Sequence, residues 1–193
     1  MRPMMKIDPE IVFKTRVRDE TIEGENPYRW EDVTTSDIFK DRKVLVFSLP
    51  GAFTPTCDTY QLPLFEELTP KFKEHGIDDV YCVSVNDAFV MNAWANAQDL
   101  QNVKVLPDGN GRFTGDMNML CEKRNLGFGE RSWRYVMLVD NLAVTQMWVE
   151  ENSDGVQHAE NNCETDPYVH TDPENVLAWF DGEDSTGLMN TRA

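Results

Sequence analysis

The sequence predicts an α/β fold, a central mixed sheet flanked by helices, and three observations carry that reading. Two short apolar runs without alternation, at residues 44–49 and 80–85, read as strands covered on both faces. Each is followed by apolar residues at helical spacing: first Leu62, Phe65, Leu68 and Phe72, then Val90, Ala93, Trp94 and Ala97. Further on, residues 135–139 and 144–149 read as an antiparallel hairpin joined across Asp140-Asn141.

From the start of the chain, residues 12–17 and 28–33 alternate apolar and polar side chains around the turn Glu23-Gly24-Glu25-Asn26-Pro27, which predicts a β-hairpin. A short capped helix follows at Thr35-Ser36-Asp37. Pro63 and Pro70 should kink or interrupt the first long helix, because proline lacks an N–H and its ring crowds the preceding turn. Asn86-Asp87 offers a cap to the second. Residues 103–106 make a third short strand that ends at Pro107. The following Asp108-Gly109-Asn110-Gly111 is a turn and lacks the lysine of a phosphate-binding loop. The last helix starts at Pro173, capped by Asp172, with Val176, Leu177 and Phe180 facing inward. Parallel strands alternating with helices, then a hairpin, then a helix, make a thioredoxin-like order, here with an N-terminal β-hairpin extension. One domain is expected over residues 1–193, with its core at about 6–181 and a loose tail rich in Gly, Asp and Ser at 182–193.

Composition narrows the function classes. No apolar run approaches the roughly 18 residues that span a bilayer, and Met1-Arg2-Pro3-Met4-Met5-Lys6 lacks the apolar core of a signal peptide, so a cytoplasmic protein without membrane attachment is expected. The four cysteines, at 57, 82, 121 and 163, form no Cys-x-x-Cys pair and no tight cluster. That argues against a zinc ribbon or a secreted disulfide framework and for free thiols in a reducing compartment. No metal and no cofactor are expected. With 34 acidic against 18 basic residues the net charge is −16, which disfavours nucleic acid and anionic membranes. Between Arg134 and Arg192 there are twelve Asp or Glu and no Lys or Arg. Such a stretch reads as a solvated acidic surface or as a docking face for a basic redox partner.

The strand at 44–49 runs straight into Pro50-Gly51-Ala52-Phe53-Thr54-Pro55-Thr56-Cys57 and then into a helix, which delivers one cysteine to a strand-to-helix junction. Unpaired N–H groups and the positive end of the helix dipole favour thiolate over thiol there. An ordinary thiol is only about 3% ionised at neutral pH, so whatever favours the anion multiplies the nucleophile. The competing reading of Cys57 is a small buried hydrophobe. The spacing Pro-x-x-x-Thr-x-x-Cys, filled by Pro50, Thr54 and Cys57, resembles the active-site signature of peroxiredoxins. Three further segments resemble those of type II, peroxiredoxin-5-like members: Val83-Ser84-Val85-Asn86-Asp87-Ala88-Phe89-Val90-Met91, Pro107-Asp108-Gly109-Asn110-Gly111 and Arg131-Ser132-Trp133-Arg134-Tyr135. Together they cover residues 6–181. Asp166-Pro167-Tyr168 and the run before it look most like the peroxiredoxin part of bacterial peroxiredoxin-glutaredoxin fusions.

That resemblance implies a thiol-dependent peroxidase. Cys57 would be the peroxidatic cysteine, reducing hydrogen peroxide and organic hydroperoxides through a sulfenic acid. Arg134 would stabilise the thiolate and hold the peroxide, a task for which a fixed guanidinium fork is better suited than a point charge. Thr54 would bridge thiolate and peroxide through its hydroxyl, and Pro50 would shield the sulfur from water. The bland readings are a surface ion pair for Arg134 and turn-forming for Thr54 and Pro50. Glutathione or a glutaredoxin is the expected electron donor, in a cycle that uses one cysteine. The alternative is a two-cysteine cycle, with thioredoxin as reductant and Cys163 as the resolving cysteine. Cys82 sits mid-strand in an apolar run, and Cys121 is expected in a helix or loop, so both read as structural. Glu160, Glu164 and Asp166 flank Cys163, and neighbouring carboxylates disfavour a thiolate. Family likeness further implies a homodimer. Two rival classes stay open: a thiol-disulfide oxidoreductase without its usual Cys-x-x-Cys, and a metal-binding or docking module using His158, Cys163 and His170.

Overall fold

The computed structural model describes residues 5–183. The tail expected from residue 182 therefore lies, beyond its first two residues, outside the described residues. In chain order the elements are β1 (Met5–Lys6), β2 (Val12–Arg18), β3 (Tyr28–Thr34), α1 (Thr35–Phe39) and β4 (Lys43–Ser48). A π-helical turn (Cys57–Gln61) leads into α2 (Leu62–Glu74), followed by β5 (Asp79–Ser84), α3 (Ala88–Ala97) and β6 (Val103–Pro107). Then come α4 (Arg112–Asp116), β7 (Leu120–Glu122), β8 (Glu130–Ser132), β9 (Tyr135–Asp140), β10 (Ala143–Val149) and α5 (Pro173–Asp181).

The main sheet has six strands in the order β1-β10-β9-β4-β5-β6. β4, β5 and β6 run parallel, and β9 lies antiparallel to β4 and to β10. This is a central mixed sheet flanked by helices, with the β2–β3 hairpin as a separate two-stranded extension. The lack of alternation in β4 now has its reason. Leu45 and Phe47 point into one apolar layer with Phe65 and Phe72 of α2, Trp94 of α3 and Val176 of α5. Val44 and Val46 point into the opposite layer with Phe13, Phe39 and Phe113. A strand covered on both faces has no polar side to display.

Local chemistry accounts for the element ends. Thr34 accepts from the Asp37 N–H while the Asp37 carboxylate accepts from the Thr34 N–H, a reciprocal cap for α1. Asp87 accepts from the Val90 N–H at the start of α3, and Asp172 from the Glu174 N–H at the start of α5. Pro70 stays inside α2, and the hydroxyl of Thr69 donates 2.7 Å to the Phe65 carbonyl one turn back. The β9–β10 turn is made by Asn141 and Leu142, whose φ values are +47° and +65°, the left-handed pair that a tight hairpin needs. Sequence periodicity did not reveal β1, β7, β8 or α4, which are two to five residues long and too short to display a period. Cys121, expected in a helix or loop, is instead on β7.

One buried charge cluster yields a stability prediction. Asp79, at the start of β5, meets Lys104 at 2.9 Å and also pairs with Arg42. Burial opposes its charge, but Lys104 and Arg42 outweigh that and hold the carboxyl below the usual carboxylate range. A depressed carboxyl contributes stability at neutral pH and loses it as pH falls through its folded-state value. Asp79→Asn is expected to destabilise the fold by about 1–2 kcal/mol at pH 7. In urea titrations at successively lower pH, the difference from the unsubstituted protein should vanish.

Candidate active site

The chain leaves β4 through a tightly folded loop. At Gly51 a Cβ would lie 2.5 Å from the Arg131 guanidinium, so a larger residue would displace that side chain from the Pro50 carbonyl, to which it donates at 3.2 Å. Phe53 takes φ +63°, a left-handed conformation unusual for an aromatic residue. The Ala52 N–H donates to Asn86 Oδ1 at 3.0 Å, tying the loop to the end of β5. The helical run starts at Pro55, and the Asp58 N–H donates back to the Thr54 carbonyl at 2.8 Å. Cys57 thus occupies the first turn, where backbone N–H groups have no helical partner.

The next turn is wide. The Leu62 N–H reaches back five residues to the Cys57 carbonyl, and Pro63, which has no N–H to give, follows immediately. The interruption expected at Pro63 is this π-helical turn. Asp58 anchors it to α3 by accepting from Trp94 Nε1 at 2.7 Å and Gln98 Nε2 at 2.8 Å.

Cys57 and Arg134 meet in the interior. Cys57 is 0% and Arg134 2% exposed. Arg134 Nη1 lies 3.4 Å from Cys57 Sγ and also donates to Gln61 Oε1 at 2.5 Å. Nη2 donates to Asp166 Oδ1 at 2.5 Å and Nε to the Pro167 carbonyl at 3.1 Å, while Tyr168 lies against the guanidinium at 5.6 Å. Burial works against this charge, but Cys57 and Asp166 more than offset it and hold the guanidinium above an ordinary arginine's pKa. The segment carrying Asp166 is itself pinned by Glu150 at the end of β10. Its Oε1 accepts from the N–H groups of Val169 and Thr171 and from the Thr171 hydroxyl, each at 2.8 Å.

The remaining sites named from sequence fall as follows. The Thr54 hydroxyl donates 2.8 Å to the Gly51 carbonyl, so its hydrogen is held within the loop and its lone pairs are left to accept. Pro50 is buried and, with Thr54 and Pro55, walls a cavity beside the loop. Cys163 lines the same cavity, but its side chain packs in the sheet's other apolar layer together with Cys121, its Sγ 3.3 Å from Thr165 Oγ1. Asp166, read from sequence as a neighbour acting on Cys163, pairs with Arg134. Cys82 shares the Cys57 layer. Burial pushes the Cys82 thiol well up, and it pushes the Cys121 thiol up to about 11. Neither should react with iodoacetamide at pH 7.5 while the protein is folded; peptide mapping after alkylation checks this.

His158 contacts the Ala159 carbonyl and His170 faces Glu151 at 3.4 Å. Among the described residues no group of three or more His, Cys, Asp or Glu could hold a metal ion, so His158, Cys163 and His170 do not gather into a centre.

The Redoxin family model matches residues 29–165, which take in the whole Cys57 loop and Arg134. The chain is also 58% identical over 174 residues to a peroxiredoxin of Rhizobium etli, an alignment covering 90% of this chain and 94% of that one. The chain belongs to the peroxiredoxins of the Redoxin family. It is accordingly a thiol peroxidase with a thioredoxin-like fold. The hybrid peroxiredoxin hyPrx5 of Haemophilus influenzae is 47% identical over 172 residues, covering 89% of this chain and 64% of the relative. Among solved structures, the Plasmodium falciparum antioxidant protein, titled a 1-Cys peroxiredoxin, superposes with a TM-score of 0.81 at 35% identity. That match covers 95% of this chain and all of the other.

Four residues that position this peroxiredoxin's site escaped the sequence reading. Gln61 lies four residues after Cys57, on the same helical face, and that spacing was a usable signal. Asp58, Glu150 and the contact of Asp166 with Arg134 had none, since their partners are separated by 19 to 40 residues.

Proposed function

We propose that this peroxiredoxin reduces hydrogen peroxide and organic hydroperoxides through Cys57, with Arg134, Thr54 and Pro50 shaping the reaction. The contact of Arg134 Nη1 with Cys57 Sγ at 3.4 Å, between two residues closed to solvent, is the observation that carries this reading. In a water-poor layer a fixed cation interacts with charge developing on the sulfur and on the peroxide far more strongly than it would at a surface. The sulfur attacks the nearer peroxide oxygen and the O–O bond breaks. The departing oxygen takes up a proton and leaves as water or an alcohol, and Cys57 becomes a sulfenic acid. Donors already aimed at the sulfur stabilise charge that spreads over both oxygens. The free lone pairs of Thr54 accept the peroxide hydrogen, and Pro50 keeps water away.

Regeneration by one cysteine fits best. Cys163 packs in the apolar layer on the far side of the sheet from Cys57, so a disulfide between them requires one of the two to leave its layer. An external thiol, glutathione or a glutaredoxin, then reduces the sulfenic acid without metal or cofactor. The name of the Plasmodium falciparum neighbour points the same way. Thioredoxin acting through Cys163 is the second reading, favoured only by the cavity that Cys163 shares with Pro50 and Thr54. A cytoplasmic homodimer completes the proposal. The exposed rings of Phe53 and Tyr60 beside Cys57 offer apolar surface to a second copy, and among the described residues no helix is long and apolar enough to cross a membrane.

Mass spectrometry after one equivalent of hydrogen peroxide in the presence of dimedone tests the cycle. A single dimedone adduct on Cys57 is expected. An intramolecular Cys57–Cys163 disulfide would overturn the one-cysteine cycle, and an adduct on another cysteine would overturn the role of Cys57.

A further inference from the structure

Two parts of the chain hold the Arg134 guanidinium from opposite sides. Nη1 meets the helical turns after the Cys57 loop, at Cys57 Sγ and Gln61 Oε1. The other edge of the fork goes to consecutive residues of the segment before α5. Nη2 donates to Asp166 Oδ1 at 2.5 Å and Nε to the Pro167 carbonyl at 3.1 Å, and the Tyr168 ring covers one face at 5.6 Å. Three residues in a row thus form a collar around the guanidinium. The collar is in turn referred to the backbone that carries the arginine. Glu150, 1% exposed, donates its N–H to the Arg134 carbonyl at 3.2 Å. Its carboxylate accepts from the Val169 and Thr171 N–H groups and from the Thr171 hydroxyl. A buried carboxylate is costly unless donors surround it, and these three donors all belong to the segment that continues the collar.

Magnitudes decide what the Asp166 contact is for. The Asp166 side chain is 48% exposed, and an ion pair with one partner half in water adds little to stability. Orientation is another matter, because a displacement of about 1 Å in a group facing the reacting atoms can cost about 10²-fold in rate. We infer that Asp166 is a positioning residue of the peroxidase site, holding the Arg134 guanidinium in the orientation that presents Nη1 to Cys57, and that Glu150 fixes the collar from which it acts. Both residues act through the arginine rather than on peroxide.

The inference rests on the reading of Arg134 as stabilising the reaction at Cys57. Asp166 has two opposed effects on that arginine. Its charge offsets part of the guanidinium's, so removing the charge alone would strengthen the arginine's hold on negative charge developing at sulfur and peroxide. Its hydrogen bond sets the direction of the fork, so removing the acceptor frees Nη2 and lets the fork turn away. The second effect wins. Water and salt screen the field of a half-exposed carboxylate, whereas they do not replace the fixed direction of its bond to Nη2.

Stopped-flow oxidation of the reduced protein by hydrogen peroxide reads the effect apart from regeneration. Asp166→Ala, which removes the acceptor, is expected to lower the rate constant about tenfold, and Asp166→Asn, which keeps an acceptor without the charge, about twofold. The melting temperature of each should stay within about 4 °C of the wild-type protein. In the Arg134→Met background Asp166→Ala should cost nothing further, because no guanidinium is left to orient. Glu150→Gln, which offers the same three donors a weaker acceptor, should likewise slow oxidation only while Arg134 is present. If Glu150→Gln fails to fold, the Asp166 variants decide alone. An Asp166→Ala rate within threefold of wild type or above it overturns the inference. So do equal losses in Asp166→Ala and Asp166→Asn, a melting temperature lowered beyond that range, or the same loss in the Arg134→Met background. An Arg134→Met rate within threefold of wild type would sink the reading of Arg134 instead, whatever the Asp166 variants do.

Discussion

Cys57→Ser is expected to abolish peroxide consumption, lowering kcat/KM for hydrogen peroxide by about 10⁴-fold or more. The sulfur is the only atom at that point able to form a bond to peroxide oxygen, and a serine hydroxyl in its place stays protonated even beside a guanidinium. The fold should survive. Serine is slightly smaller, and although its hydroxyl enters an apolar layer, Arg134 Nη1 already points at that position from 3.4 Å and supplies a donor. A stability change within about 1 kcal/mol is therefore expected. Peroxide loss measured with dithiothreitol as reductant, alongside urea unfolding, checks both halves. Turnover within tenfold of the wild-type rate would remove Cys57 from the chemistry.

Arg134→Met should produce the second largest loss, about 10²–10³-fold in the rate at which peroxide oxidises the reduced protein. The guanidinium holds the sulfur, the Gln61 carbonyl, the Asp166 carboxylate and the Pro167 carbonyl at once. Methionine fills the space and donates to none of them. The buried Gln61 Oε1 then loses its partner, whereas Asp166, about half exposed, can turn to water. A stability loss of about 1–3 kcal/mol follows from the orphaned amide. Arg134→Lys restores a charge but not the planar fork, so it should recover only part of the rate. Stopped-flow oxidation of the reduced protein separates this step from regeneration. An Arg134→Met rate within threefold of wild type would refute the assignment.

Much of this molecule could be read from its residues one neighbourhood at a time. The unalternating run at 44–49, the irregular turn before Pro63 and the caps at Asp87 and Asp172 are local consequences of side-chain type, and each appears where expected, whereas α2 runs through Pro70 without the interruption its sequence suggested. The Cys57 loop was equally legible, because Pro50, Thr54 and Cys57 lie within eight residues, between an unbroken apolar run and a segment with helical spacing. The position of Arg134 was named from resemblance, without any view of what it touches.

Chain folding alone settled the rest. The sheet carries β9 against β4 and brings residue 134 to residue 57. Glu150 ties down the segment after it, so that Asp166 faces the arginine and leaves Cys163 alone. Cys163 entered the opposite apolar layer for the same reason. Contacts between residues far apart in the chain depend on how whole layers pack, and no stretch of ten or twenty residues encodes them.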